Sequence, residues 1–145
     1  MKLYYIPGAC SLACNIALRD AGVRFQLVEV DRFTKRAADG LDFLKVNPKA
    51  YVPALALDDG TVLTETVTVL QYIADRHPRM NLAPTAGSME RYRLMEWLSF
   101  INSEIHKFFN PLFRPDVSEG AKEYARSCLT MRLEYLQNAL DRGAS

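Results

Sequence analysis

The stretch "PALALDDGTVLTETVTVLQYIADRH", residues 53–77, carries two patterns in succession. Two short apolar runs flank Asp59-Gly60, and an Asp-Gly pair between such runs is the strongest short-range signal for a β-hairpin. Directly after it, Val69, Leu70, Ile73 and Ala74 recur at helical spacing, and the pattern stops before Pro78. The segment therefore predicts strand, strand, helix. Pro53 cannot donate to a ladder, so it marks a strand start or an edge.

Upstream, "KLYYIP" is a short β-prone run ended by Pro7 and Gly8. "SLACNIALRDAG" follows without a breaker until Gly22, which predicts a helix with a glycine stop. In "FQLVEV", residues 25–30, Gln26 and Glu29 would point to opposite faces of a strand, so this strand is expected to be apolar on much of both faces. The first thirty residues thus read β-α-β, with parallel strands joined by a right-handed crossover. Residues 31–50 read as a surface excursion with at most a short helix in "GLDFLKV".

Downstream, "PRMNLAPTAG" has the composition of a linker, and the rest is helical: Ser88 to Phe109, then Asp116 to Leu140. Asp116 and Glu119 have the spacing of a capping box. The expected architecture is an α/β domain with βαβ-ββα order over 1–80, a linker over 81–87, and an all-α domain over 88–145.

Composition narrows the function. The 145 residues are 49% hydrophobic, enough to form a core. Eighteen basic against seventeen acidic residues leave a net charge of +1, which offers no field to draw nucleic acid or a membrane. Three cysteines without framework spacing suit a reducing compartment, and the start of the chain does not read as a signal peptide. The expectation is a cytoplasmic protein.

Several residue groups carry chemistry, each with a plainer alternative. Cys10 lies at the mouth of the first helix, where free N–H groups and the helix dipole favour a thiolate; it is equally a small residue of the kind cores bury. Cys14, one turn further in, reads as core, and two cysteines at this spacing with no nearby histidine make a poor metal pair. Val52, just before Pro53, would offer backbone groups to an extended peptide, although a proline at a strand edge needs no ligand. Glu65 and Thr66 stand at the start of the third helix. They suit an ammonium and a carboxylate respectively, or act simply as a first-turn acid and a cap. Ser99, Ser103 and His106, spaced four and three, share one face of a helix, which would line a cleft or meet water.

Taken together, "KLYYIPGACSLA", "NPKAYVPALALDDGTVLTE", "VLQYIAD", "EWL" and "HKFFNPLFRPD" resemble the bacterial beta-class glutathione S-transferases over nearly the whole chain. The resemblance implies a thioredoxin-like first domain and an all-helical second one. It implies that Cys10 faces the glutathione sulfur, that Val52 pairs with the tripeptide before a cis proline at 53, and that Glu65 and Thr66 hold the γ-glutamyl end. The family usually has serine or glycine where Thr66 stands. Lys35 matches a lysine near the glycyl carboxylate, and Ser103 and His106 match positions that close the site. Ser99 stands where asparagine is common.

The resemblance further implies glutathione as co-substrate, no metal, a small electrophilic substrate and a homodimer. Phe108, Phe109 and Phe113 are the expected wall of an apolar pocket. Family members continue past position 145, so a C-terminally shortened helical domain is expected. In the last helix Ala125, Leu129, Leu133, Leu136 and Leu140 form one apolar stripe, and Tyr124, Cys128, Met131 and Tyr135 another, so that helix needs neighbours on two sides. The implied activity is conjugation of glutathione, with thiol–disulfide exchange through Cys10; the alternative is a glutathione-binding or dimerising module without catalysis.

Overall fold

The computed structural model describes residues 1–143 and divides the chain into two compact units, Met1–Arg91 and Tyr92–Ser145. In the first unit the order is β1 (Lys2–Tyr5), α1 (Ser11–Asp20), β2 (Gln26–Glu29), α2 (Phe43–Val46), β3 (Ala54–Ala56), β4 (Val62–Thr64) and α3 (Thr66–Arg76). The strands lie in the order β2-β1-β3-β4, with β1 and β2 parallel and the other two pairings antiparallel. This is the expected βαβ-ββα unit.

Strand periodicity builds two cores, one on each face of the sheet. Leu3 of β1 and its partner Leu55 of β3 face α1 and α3, where Cys14, Leu18, Val69 and Ile73 are buried with them. The adjacent residues Tyr4 and Ala54 face the other way, toward Val28, Val30 and Phe43. Each fully buried large side chain in these layers contributes about 1.5–3 kcal/mol.

β2 is an edge strand within the apolar run 25–30, and it is apolar on both faces as expected: Leu27 packs toward the Leu3 core and Val28 toward the Tyr4 core, while Gln26 and Glu29 are exposed. α1 ends as expected at Gly22, whose φ is +67°. The Gly22 and Val23 N–H groups return to the carbonyls of Arg19 and Leu18, at 2.9 and 3.0 Å, which is the Schellman arrangement that glycine permits.

The expected helix over 88–109 is helical throughout from Met89 to Phe109, but its hydrogen-bond pattern changes along the way. α4 (Met89–Phe100) begins in the first unit and passes into a π-helical turn (Ile101–His106), then α5 (Lys107–Phe109) and a 3-10 turn (Asn110–Phe113). α6 (Glu119–Asp141) starts three residues later than expected. Its cap is Ser118, which accepts from the Ala121 N–H at 3.4 Å, whereas Asp116 is engaged with Arg114. The capping box at Asp116 is thereby corrected.

Arg132 of α6 joins α6 to the π turn through Glu104, at 2.9 and 3.2 Å, and lies 4.9 Å from the centre of the Phe108 ring. Ala125, Cys128 and Leu129 are the buried residues of α6, so the covered face cuts across both predicted stripes. No helix among the described residues is long and apolar enough to cross a membrane.

Candidate functional site

The loop Ile6–Cys10 leads from β1 into α1, and Ser11 pins it. The Ser11 hydroxyl is fully buried, accepts from the Ile6 N–H at 3.3 Å and donates to the Ile6 carbonyl at 3.4 Å. A hydroxyl that both gives and receives satisfies two backbone groups at once. Cys10 follows the turn as the N-cap of α1, partly exposed, and its side chain does not cap the helix. Instead the Cys10 thiol donates to the Val52 carbonyl oxygen at 3.4 Å.

Val52 itself is buried, and the peptide bond between it and Pro53 is cis, as the resemblance implied. Its backbone is not wholly unpaired, as the expectation had it, because the thiol occupies one lone pair of the carbonyl. A carbonyl oxygen has two, so a peptide N–H can still be accepted there. The approach to this residue is held by Asn47, a buried side chain that sequence reading passed over. Asn47 Nδ2 donates to the Tyr51 carbonyl at 2.7 Å, and Oδ1 accepts from the Lys49 N–H at 3.2 Å. Between them Ala50 takes a left-handed backbone, φ 62°.

Cys14 is a different kind of thiol. It is buried in the core beneath α3, and burial pushes its pKa from the ordinary 9.0 to about 12. Its sulfur lies 4.0 Å from the Thr66 carbonyl, so α1 runs close to the start of α3. There Glu65 is the N-cap at positive φ, with φ 71° and ψ 123°, an uncommon state for a residue with a side chain. No side chain caps α3. The Glu65 carboxylate instead pairs with Lys49 at 2.7 Å, and the same ammonium donates to Thr64 Oγ1 at 2.9 Å.

Lys35 is half-buried and also at positive φ, 57°. Its N–H donates to the Asp31 carbonyl and its carbonyl accepts from the Phe43 N–H, both at 3.0 Å, so it ties the excursion to α2. Cys10 and Val52 are thus in direct contact, and Cys14 brings α1 up to Thr66. Glu65 is joined to the Asn47 loop through Lys49.

Ser99, Ser103 and His106 belong to the second unit, and all three are exposed. The Ser103 hydroxyl donates to the Ser99 carbonyl at 2.9 Å. The π turn closes i→i+5 bonds, so residues 103 and 106 are not related by the ordinary α-helical step assumed from their spacing. Phe109 stacks on the exposed Phe113, with centroids 6.4 Å apart, and Phe108 packs edge-on to Tyr124 at 6.2 Å. Among the described residues no cluster of His, Cys, Asp and Glu is arranged to hold a metal ion.

Sequence reading missed Asn47, Lys49 and Ser11. The Asn47-Pro48 pair was a visible turn signal, but the partners of these side chains depend on the fold.

A family model described as "Glutathione S-transferase, N-terminal domain" matches residues 1–75. The chain is 51% identical over 140 residues to glutathione S-transferase GstA of Escherichia coli O157:H7, covering 97% of this chain and 70% of that protein. It is also similar to the structure of a sphingomonad glutathione S-transferase complexed with glutathione. That pair has 50% identity and a TM-score of 0.94, over 97% of this chain and 70% of the other. A bacterial beta class glutathione S-transferase from Sphingomonas chungbukensis gives 51% identity and a TM-score of 0.93, with the same two shares. With a thioredoxin-like sheet, a helical second unit and these relatives, the chain belongs to the glutathione S-transferase family of enzymes.

Proposed function

We propose that this protein is a beta-class member that binds glutathione through residues 1–80 and conjugates it, through its sulfur, to small apolar electrophiles. Thiol–disulfide exchange at Cys10 is proposed as a second reaction of the same site. The observation that carries the reading is the 3.4 Å bond between the Cys10 thiol and the Val52 carbonyl, within the segment that matches the family model. It sets the reactive sulfur beside backbone suited to pair with a peptide.

In this reading the γ-glutamyl ammonium meets Glu65, and its carboxylate meets the N-terminus of α3 at Thr66. The absence of a side-chain cap supports this, because the first-turn N–H groups of that helix are open to an anion. Threonine keeps the hydroxyl that a serine would offer. Lys35 is the proposed partner of the glycyl carboxylate.

In conjugation the glutathione thiol first loses its proton to solvent; the thiolate then forms a bond to a carbon of the electrophile while the leaving group departs with its electron pair. In the exchange reaction, Cys10 thiolate attacks a glutathione-containing disulfide; a new S–S bond forms as the old one breaks and a thiolate leaves.

In the helical unit, proposed as residues 88–145 after a linker over 81–87, Ser99, Ser103 and His106 are the candidate functional positions. Phe108, Phe109 and Phe113 are the proposed apolar surface for the electrophile. A homodimer is proposed on the exposed Tyr124, Met131, Tyr135 and Leu140 of α6, a cytoplasmic location on the three free cysteines, and a detoxifying role on the proposed conjugation of electrophiles.

The test is retention on immobilised glutathione, followed by conjugation to 1-chloro-2,4-dinitrobenzene and by a disulfide-exchange assay. Retention and turnover are expected, with Cys10→Ala abolishing exchange and leaving part of the conjugation. Failure of the folded protein to be retained overturns the proposal, and exchange that persists in Cys10→Ala removes the role of that thiol.

A further inference from the structure

Lys49 has no assigned part in glutathione binding, yet its ammonium lies 2.7 Å from Glu65 Oε1 and 2.9 Å from Thr64 Oγ1. The loop that carries it is anchored from below. Buried Asn47 accepts the Lys49 N–H at 3.2 Å and donates to the Tyr51 carbonyl at 2.7 Å, so the cation is hung on a fixed backbone. Glu65 stands at the junction of β4 and α3, and the two side chains of the pair are 54% and 59% exposed, so water screens but does not remove their charges. The two charges form a standing pair at the head-group end of the site.

A carboxylate alone at position 65 would attract any ammonium. With Lys49 beside it the local charge is close to zero, and an incoming amine meets a cation as well as an anion. A ligand that brings its own carboxylate offsets that repulsion. Lysine has three donors; Glu65 and Thr64 take two, and the third is left for a ligand oxygen. Discrimination by an added repulsive element is a common route to specificity.

We infer that Lys49 is a specificity-determining residue, which makes the Glu65 end of the site select a zwitterionic γ-glutamyl head over a head carrying ammonium alone. The inference rests on the proposed seat of the γ-glutamyl group at Glu65 and Thr66.

The experiment compares three tripeptides by calorimetry: glutathione, the 4-aminobutyryl analogue that lacks the α-carboxylate, and the glutaryl analogue that lacks the ammonium. Each is titrated into the full chain and into the Lys49→Met, Lys49→Arg and Glu65→Gln variants, all checked for folding by circular dichroism. Lys49→Met is expected to narrow the preference for glutathione over the 4-aminobutyryl analogue roughly two- to five-fold, the scale of an exposed charge pair, and to weaken the glutaryl analogue. Lys49→Arg is expected to keep the parent preference. An unchanged ratio in folded Lys49→Met overturns the inference. Glu65→Gln distinguishes the two possible failures. If it weakens both ammonium-bearing ligands while Lys49→Met changes nothing, only the role of Lys49 falls. If it spares both, the seat at Glu65 falls and the inference with it.

Discussion

The Cys10 thiol and the Val52 carbonyl oxygen are hydrogen-bonded at 3.4 Å across 42 residues of chain. This bond joins the entrance of α1 to the residue before a cis proline. Cys14, one helical turn away, is instead enclosed by the core.

That difference predicts selective alkylation. Iodoacetamide at pH 8 is expected to modify Cys10 in the native protein and to leave Cys14 untouched until the chain unfolds, which peptide mass spectrometry reads directly. Native labelling of Cys14 at a comparable rate would contradict its enclosure.

The same burial has a pH signature. The Cys14 thiol titrates near 12 when folded against 9.0 ordinarily, so between these values the unfolded chain holds fewer protons than the folded one. Stability contributed by this group is therefore complete below pH 9 and is lost as pH rises toward 12. Urea melts across pH 8.5–11 are expected to show a decline that is shallower in Cys14→Ala, once the variant's own baseline loss is subtracted.

Asn47 predicts a joint loss of stability and binding. Asn47→Ala removes two part-buried hydrogen bonds that shape the loop, a change of about 1–3 kcal/mol at the usual net worth of such bonds. Thermal melts check the stability, and weaker retention on immobilised glutathione checks that the loop serves the site.

Ala50 predicts the opposite sign. Its left-handed φ of 62° costs a residue with a Cβ about 1–2 kcal/mol, whereas glycine adopts it freely. Ala50→Gly is expected to hold or raise the melting temperature, in contrast to the loss of roughly 0.5–1 kcal/mol usual for this exchange in regular structure. A clear drop would show that the left-handed state is not the one populated.

The start of α6 is tested by a pair of variants. Ser118→Ala is expected to cost about 1 kcal/mol as a lost cap, while Asp116→Ala changes stability far less because only an exposed pair with Arg114 is removed. The reverse order of melting temperatures would restore Asp116 as the cap.

Much of the first unit was legible because its punctuation is local. Asp59-Gly60, Gly22 and Pro53 each act through their own backbone, and each marks the boundary the chain uses. The placement of Cys10, Glu65 and Thr66 at helix starts was legible for the same reason, since helix starts follow from such boundaries. Lys49 meets Glu65 only after the hairpin folds back, and Asn47 earns its importance from a loop shape that single residues do not announce. The π turn after Phe100 has no compositional mark, so the helix there read as a plain α-helix. At the start of α6 the capping-box spacing pointed to Asp116, whereas the chain caps with Ser118 and pairs Asp116 with Arg114.

The opposite burial of Leu3 and Tyr4, repeated by Leu55 and Ala54, limits where this chain tolerates a change in length. Inserting or deleting one residue in either central strand would exchange the two layers, driving a tyrosine hydroxyl under the helices and a leucine out the other side. Length variation among related chains should therefore collect in the 31–50 segment and at the Asp59-Gly60 tip, and be missing from the strands themselves.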